Sequence, residues 1–350
     1  MSDFRLLADD LTGALDSAAR FVPRFGPIEV SWRRPSEARA AAYDSETREA
    51  ADPEPAMLRW APYLRDAALA FKKLDSMLRG HVAAEIAACL RAGRFAHAVI
   101  APAFPYHGRI TSGGRHYAHG HDVGIDLALD FARLGIPLNL CRPGDPPSPG
   151  VSLWDAVDDG DLDRIVTAGR TLPGPVLWCG SGGLAAALAG PTPPPRPALP
   201  GPMLALLGSD HPATAAQFVG AQFAAAPFTA TLLGPDGARA IGPSLAGRDA
   251  ILRAHVPDNT PRDAAATLIG ETFIALAFAL PAPGTLVVTG GETLRRLCDA
   301  LRASHLTVLG ELSPGVPVSS LEGGAWDGVT VVSKSGGFGR PDFLARLFAA

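Results

Sequence analysis

The chain has 350 residues, 47% hydrophobic and 19% charged, which excludes a disordered chain and leaves room for more than one buried core. Its 31 Lys and Arg against 35 Asp and Glu give a net charge of −4, which lends no support to non-specific nucleic-acid binding. No basic-then-apolar leader opens the chain, no apolar run is long enough to span a bilayer, and Cys89, Cys141, Cys179 and Cys298 form no C-x-x-C pair, so a reduced cytoplasmic protein without a membrane partner is expected.

Short apolar runs predict strands at Arg5–Ala8, Ala40–Tyr43, Ala68–Lys73, Ala98–Ala101 and Pro175–Cys179, then at Leu204–Leu207, Thr229–Leu232, Leu286–Thr289, Thr307–Leu309 and Thr330–Ser333. Several run into a Gly, Ser or Asp turn and then an Ala/Leu-rich helical pattern. Such alternation predicts an α/β protein with mainly parallel sheets flanked by helices. The proline-dense "GPTPPPRPALPGP" can continue neither a helix nor a central strand, so it predicts a semi-rigid linker. The expected domains are 1–190 and 203–350, joined by 191–202. "RPGDPPSPG", Arg142–Gly150, reads as a surface loop inside the first.

In "FRLLADDLTGALDSAARF", Asp9, Asp10, Thr12, Gly13 and Asp16 gather where a strand hands over to a helix. One cap satisfies a helix start, so three acids point to a hydroxyl-rich ligand or a metal. "AAYDSETRE" puts Arg48 just beyond a strand end, suited to clamping a carboxylate, although alone it reads as a surface arginine. "FKKLDSMLRGHVAAEI" places Asp75, Ser76 and Arg79 beyond the next strand. Carboxyl ends of parallel strands form the ligand crevice, so these groups are expected to converge.

"APAFPYHGRITSGGRHYAHGHD" carries Gly108, Arg109 and the histidines His107, His116, His119 and His121. Without H-E-x-x-H or a carboxylate pair at helical spacing, the segment favours a substrate loop over a metal site, and no metal ligands are assigned. "VLWCGSGGLAAALA" fits a relaxed G-x-G-x-x-A through Gly180, Gly182 and Ala185, but the acidic residue of a dinucleotide fingerprint is missing. What survives there is a helix start able to hold an anion.

The second half has three strand-to-glycine turns: Gly208–Ser209; Gly290, Gly291, Glu292 and Thr293; and Lys334 with Gly336, Gly337 and Gly339. Glycine admits a phosphate close to the backbone and lysine adds a point charge, so a nucleotide site is the best single explanation. No Walker P-loop and no protein-kinase H-R-D or D-F-G set occurs. Acids, hydroxyls and arginines in one domain, with glycine turns and a lysine in the other, suit phosphoryl transfer in a cleft between them.

Taken in order, "ADDLTGALD", "KKLDSMLRG", "APAFPYHGR", "GSGGLAAAL", "LLGSDHPATAAQ", "VVTGGET" and "SKSGGFG" resemble the four-carbon acid sugar kinase family over nearly the whole chain. The resemblance implies an N-terminal acid-sugar domain, a C-terminal nucleotide domain, a four-carbon sugar acid phosphorylated at its terminal hydroxyl, ATP with Mg²⁺, and a homodimer. It assigns Asp9, Asp10, Thr12, Gly13, Arg48, Asp75, Ser76 and Arg79 to the substrate side, and the strand-to-helix turn itself adds Asp16. Ser209, the Gly290–Thr293 turn, Gly336 and Gly337 go to ATP, and the charge of Lys334 is expected near its phosphates. Asp75 is the expected catalytic carboxylate, with Asp10 next and Asp16 third. Met77 stands where the family usually has Thr, Glu292 where it usually has Asp, and the segment after His121 is short. The rival readings are a nicotinamide-dependent dehydrogenase using the Gly180 turn and a ligand sensor without chemistry.

Overall fold

A computed structural model describes residues 2–209, 211–223, 229–232 and 234–349. The chain divides into two compact units, Met1–Pro195 and Arg196–Ala350, and the division falls inside the proline-rich segment. Among the described residues no helix is long and apolar enough to cross a membrane. The four cysteines are buried thiols.

The first unit runs β1 (Ser2–Ala8), α1 (Leu11–Phe25), β2 (Ile28–Ser31), β3 (Ala40–Asp44), α2 (Glu54–Trp60), β4 (Ala67–Lys73), α3 (Val82–Gly93) and β5 (His97–Ala101). It continues through β6 (Arg109–Ser112), β7 (Arg115–Ala118), β8 (His121–Asp122), α4 (Leu127–Arg133), β9 (Leu138–Cys141), β10 (Val151–Trp154), α5 (Asp159–Gly169), β11 (Val176–Gly180) and α6 (Gly182–Ala189). Its main sheet is all parallel, in the order β2-β3-β1-β4-β11-β5-β10-β9. The chain leaves β1 toward β3 and returns on its other side as β4. The β1/β4 boundary is therefore the topological switch point, where open α/β sheets bind ligands.

Side chains of a strand alternate between faces, and β4 shows the consequence. Ala70 joins the core under α2, α3 and α4 with Met57, Trp60, Ile86 and Phe131, whereas Phe71 meets Phe21 of α1 edge to face at 5.9 Å. The same alternation sends Lys72 toward α3 and Lys73 toward α1. The histidine segment, expected as a loop, is instead the three-stranded antiparallel sheet β6-β7-β8, turned at Gly113–Gly114. The Arg142–Gly150 loop joins two strands, β9 and β10, that the sequence reading did not anticipate.

The second unit runs β12 (Met203–Leu207), α7 (Pro212–Phe223), β13 (Thr229–Leu232), α8 (Pro235–Leu245), β14 (Ala250–Ala254), α9 (Arg262–Ala279) and β15 (Thr285–Thr289). Then come α10 (Gly291–Ala300), β16 (His305–Ser313), β17 (Val316–Glu322), β18 (Thr330–Lys334) and α11 (Phe343–Phe348). Its strands lie in the order β13-β14-β12-β15-β18-β17-β16, with β17 antiparallel to both neighbours. Leu207, Phe218, Ile251, Val287, Val332 and Leu344 share its core. Here the switch point lies between β12 and β15. The short strand expected at Thr307–Leu309 is the centre of the longer β16, paired in a ribbon with β17.

Candidate functional site

Beyond β1, Asp10 caps α1, accepting from the Gly13 amide at 2.9 Å and from the Thr12 hydroxyl at 2.8 Å. The loop after β3 brings Arg48 across. Its guanidinium grips Asp9 through Nε at 2.8 Å and Nη2 at 2.9 Å, and reaches Asp10 through Nη1 at 2.6 Å and Nη2 at 2.7 Å. Asp75, beyond β4, lies 3.6 Å from the same guanidinium. Asp75 is itself held by Arg79, Nε and Nη2 each at 2.8 Å, and accepts from the Met77 and Arg79 amides, both at 3.1 Å. Three strand ends thus meet in one arginine-laced carboxylate cluster.

Burial by itself would raise these carboxyls. For Asp9 it is outweighed by Arg48, then Lys72, so the group is held below the usual carboxylate range. For Asp75 it is outweighed by the Arg79 hydrogen bonds and the Arg48 charge, and the carboxyl is held far below that range. Arg48, disfavoured as a buried cation, is pushed well up by Asp10, Asp9 and Asp75. Asp16, one turn further along α1, goes the other way: burial raises it despite Lys73, Arg20 and Arg109 nearby.

Two cations that the sequence reading gave no role also stand here. Lys73 is buried, and its ammonium donates to the Leu74 carbonyl at 2.8 Å. It passes beneath the start of α1, where a Cβ on Gly13 would lie 3.2 Å from Nζ and 2.5 Å from Asp10 Oδ1, so the close approach requires glycine. Arg109, from β6, is buried and donates to the Ser76 hydroxyl. Next to it His116 bonds the Ser76 carbonyl through Nε2 at 3.0 Å and Thr111 through Nδ1 at 3.0 Å, and burial lowers its pKa. A carbonyl only accepts, so Nε2 carries the proton and neutral His116 ties the β6-β7-β8 sheet to the Asp75–Ser76 turn. Among the described residues no group of three or more His, Cys, Asp or Glu is arranged to hold a metal.

The Gly180 turn is built for packing rather than for a ligand. A Cβ on Gly182 would lie 2.7 Å from the Phe104 ring, and one on Gly183 would lie 2.4 Å from the Ala103 carbonyl. Ser181 caps α6 and donates to that same carbonyl at 2.9 Å. The chain at 103–104 therefore covers the helix start at which a dinucleotide or another anion was considered, and the glycines there admit protein.

In the second unit the three glycine turns are laced together. Thr293 bonds the Gly208 carbonyl at 3.4 Å, and the Gly290 amide bonds the Lys334 carbonyl at 3.1 Å. Thr214 reaches the Gly336 carbonyl at 3.0 Å, and Gln217 reaches those of Phe338 and Gly339 at 2.9 and 3.0 Å. Gly336 sits so tightly on Ser209 that a Cβ would lie 2.0 Å from its Oγ. Helix α10 starts at Gly291 behind Gly290, with no side-chain cap, leaving its first amides for an anion. Lys334 is wholly buried and curls back to the Ser335 and Phe338 carbonyls at 3.1 and 3.0 Å. Burial pulls its ammonium down to about 7. Glu292 points outward, paired with Arg296 at 2.8 Å. Gly337 lies in the same turn, where a Cβ would lie 3.2 Å from the His211 ring.

Residues 4–128 match the family profile described as a sugar-binding N-terminal domain, and residues 204–344 match a nucleotide-binding C-terminal domain. The chain is similar to the D-threonate kinase of Bordetella bronchiseptica, 32% identical over 99% of this chain and 96% of that one. The D-threonate kinase of Cupriavidus necator is 31% identical over 99% and 97%. That of Salmonella typhimurium is 26% identical over 97% and 96%. Solved structures from Salmonella typhimurium and Haemophilus influenzae share the fold, with TM-scores of 0.74 and 0.69 at 20% identity over at least 98% of each chain. Full-length similarity to these kinases, together with the paired domain matches, shows that the chain belongs to the four-carbon acid sugar kinase family.

Proposed function

We propose that this protein transfers the γ-phosphoryl group of ATP, with Mg²⁺, to the terminal hydroxyl of a four-carbon sugar acid, D-threonate being the first candidate. The observation that carries the reading is the arginine-laced cluster of Asp9, Asp10, Arg48, Asp75 and Arg79 at the switch point of the unit that matches a sugar-binding domain. The carboxylates of the cluster hold the arginines in place, and a planar guanidinium recognises the acid group. Arg79 suits the second task better than Arg48, because its side chain is 54% exposed against 13%. Two arginines hold Asp75 ionised and make it a poor proton acceptor, so its role is to position them.

On the nucleotide side the uncapped start of α10, the Gly336–Gly337 turn, Ser209 and Lys334 suit the polyphosphate in donor type. Mg²⁺ arrives with the phosphates, keeps most of its waters, and neutralises charge on the transferring group. The test is ADP release from Mg·ATP with both threonates, both erythronates and 3-oxo-tetronates. One acid is expected to stand out. Silence across the panel by protein that still binds ATP would overturn the reading.

A further inference from the structure

The carboxylates of the cluster differ in what they have left to offer. Both oxygens of Asp9 are taken by Arg48, those of Asp10 by Arg48, Thr12 and the Gly13 amide, and those of Asp75 by Arg79 and two amides. Asp16 is different. It is 6% exposed, its Oδ1 is sealed from solvent without a hydrogen bond, and among the described residues its side chain has no hydrogen-bonding partner. Lys73 is equally unusual: 4% exposed, it spends one of three N–H donors, on the Leu74 carbonyl. Lys73 is the largest charge acting on Asp16, yet the two form no ion pair. Each of these two buried side chains keeps unused hydrogen-bonding capacity that a group both donor and acceptor would satisfy. A hydroxyl is such a group.

We propose that Asp16 and Lys73 together receive the hydroxyl to be phosphorylated, with Asp16 taking its proton and Lys73 steadying its oxygen. This rests on the kinase reading above and names the proton acceptor within it. In the step, the hydroxyl O–H bond breaks and its proton passes to an Asp16 oxygen. The freed oxygen forms a bond to the γ-phosphorus. The bond from that phosphorus to the bridging oxygen breaks, its electron pair leaves with ADP, and the proton on Asp16 returns to solvent before the next turnover.

The surroundings suit the task. Lys73 on β4, Arg20 on α1 and Arg109 on β6 favour the ionised carboxylate, while burial and Asp10 oppose it, with the net effect of a carboxyl raised above its ordinary value. A carboxylate with a raised pKa is a stronger base than an ordinary one. Asp16 Oδ2 also lies 3.3 Å from the Cβ position of Gly182, at the start of α6.

The experiment compares wild type with Asp16→Asn in ADP release, with acid and ATP binding followed by calorimetry. Asp16→Asn is expected to lose about 100-fold or more of kcat, the usual worth of a positioned base, while KM for both substrates changes about threefold or less. If Asp16→Asn keeps more than about a tenth of wild-type kcat, or its loss falls in KM alone, this assignment is overturned and the kinase reading stands. A wild type silent on the whole acid panel overturns both. Should the variant fail to fold, the wild-type pH profile decides. The acid limb of kcat is expected above the ordinary carboxylate range, and a limb within that range overturns the assignment.

Discussion

Lys334 offers a quantitative test of the nucleotide side. Its ammonium is wholly buried, reaches two carbonyls and has no carboxylate beside it among the described residues, and burial alone pulls it from 10.5 to about 7. If polyphosphate settles against it, the charged form regains a partner and the pKa climbs back toward the ordinary lysine value. At pH 8 the free protein carries this proton about a tenth of the time, so binding should take up about 0.9 of a proton; at pH 6 the uptake should fall to about 0.1. Calorimetry of ATP binding in two buffers of different ionisation enthalpy reads the number directly. Lys334→Met should abolish the uptake. Uptake near zero at pH 8 in the wild type, or the same uptake in the variant, would refute the placement of Lys334 at the phosphates. A second consequence needs no ligand. Because the folded pKa lies below the unfolded one, the folded state binds fewer protons, and stability should rise with pH between about 7 and 10.5. The variant should flatten that rise in urea titrations.

Gly336→Ala should raise KM for ATP at least about tenfold and leave KM for the acid nearly unchanged, because its Cβ would force the turn off Ser209. Arg48→Met should cost about 3–5 kcal/mol in urea unfolding, since it strands the buried Asp9 and the half-buried Asp10. The wild type should also lose stability as pH falls below the ordinary carboxylate value of 3.8, because Asp9 and Asp75 have depressed folded pKa values whose contribution is complete only above it; Arg48→Met should weaken this acid dependence. Arg79→Met should cost less stability than Arg48→Met, because Asp75 keeps its two amide bonds and Arg48 nearby, yet raise KM for the acid severalfold.

How much of this was legible in the sequence follows from what each signal depends on. Buried parallel strands are short apolar runs, and each one predicted is present. Strands β2, β9, β10 and β14 escaped notice because they are four or five residues long, with charged or polar residues among the apolar ones. The β6-β7-β8 sheet escaped because its residues are mostly polar and its strands pair locally rather than through a core. At the site, strand-end position made Asp9, Asp10, Arg48, Asp75 and Arg79 visible. Their mutual saturation was not, because it depends on which side chains reach which lone pairs. Lys73 carried a readable clue, a charge at the last position of an apolar strand on the α1 face. It was obscured by Lys72 beside it.

That doublet bears on how a mutational screen of this protein would look. Written side by side, the two lysines suggest that one could stand in for the other. They cannot, because one residue along a strand is half a turn around it. Lys72 lies under α3, paired with Glu85 at 2.7 Å with both side chains buried, and Lys73 lies on the α1 side. Lys72→Met should therefore appear as lost protein, with a lower melting temperature and reduced yield, and Lys73→Met as folded protein that turns over poorly. Adjacent identical letters would sort into opposite phenotypic classes, and a single-residue deletion in β4 would confuse the two by exchanging their compartments.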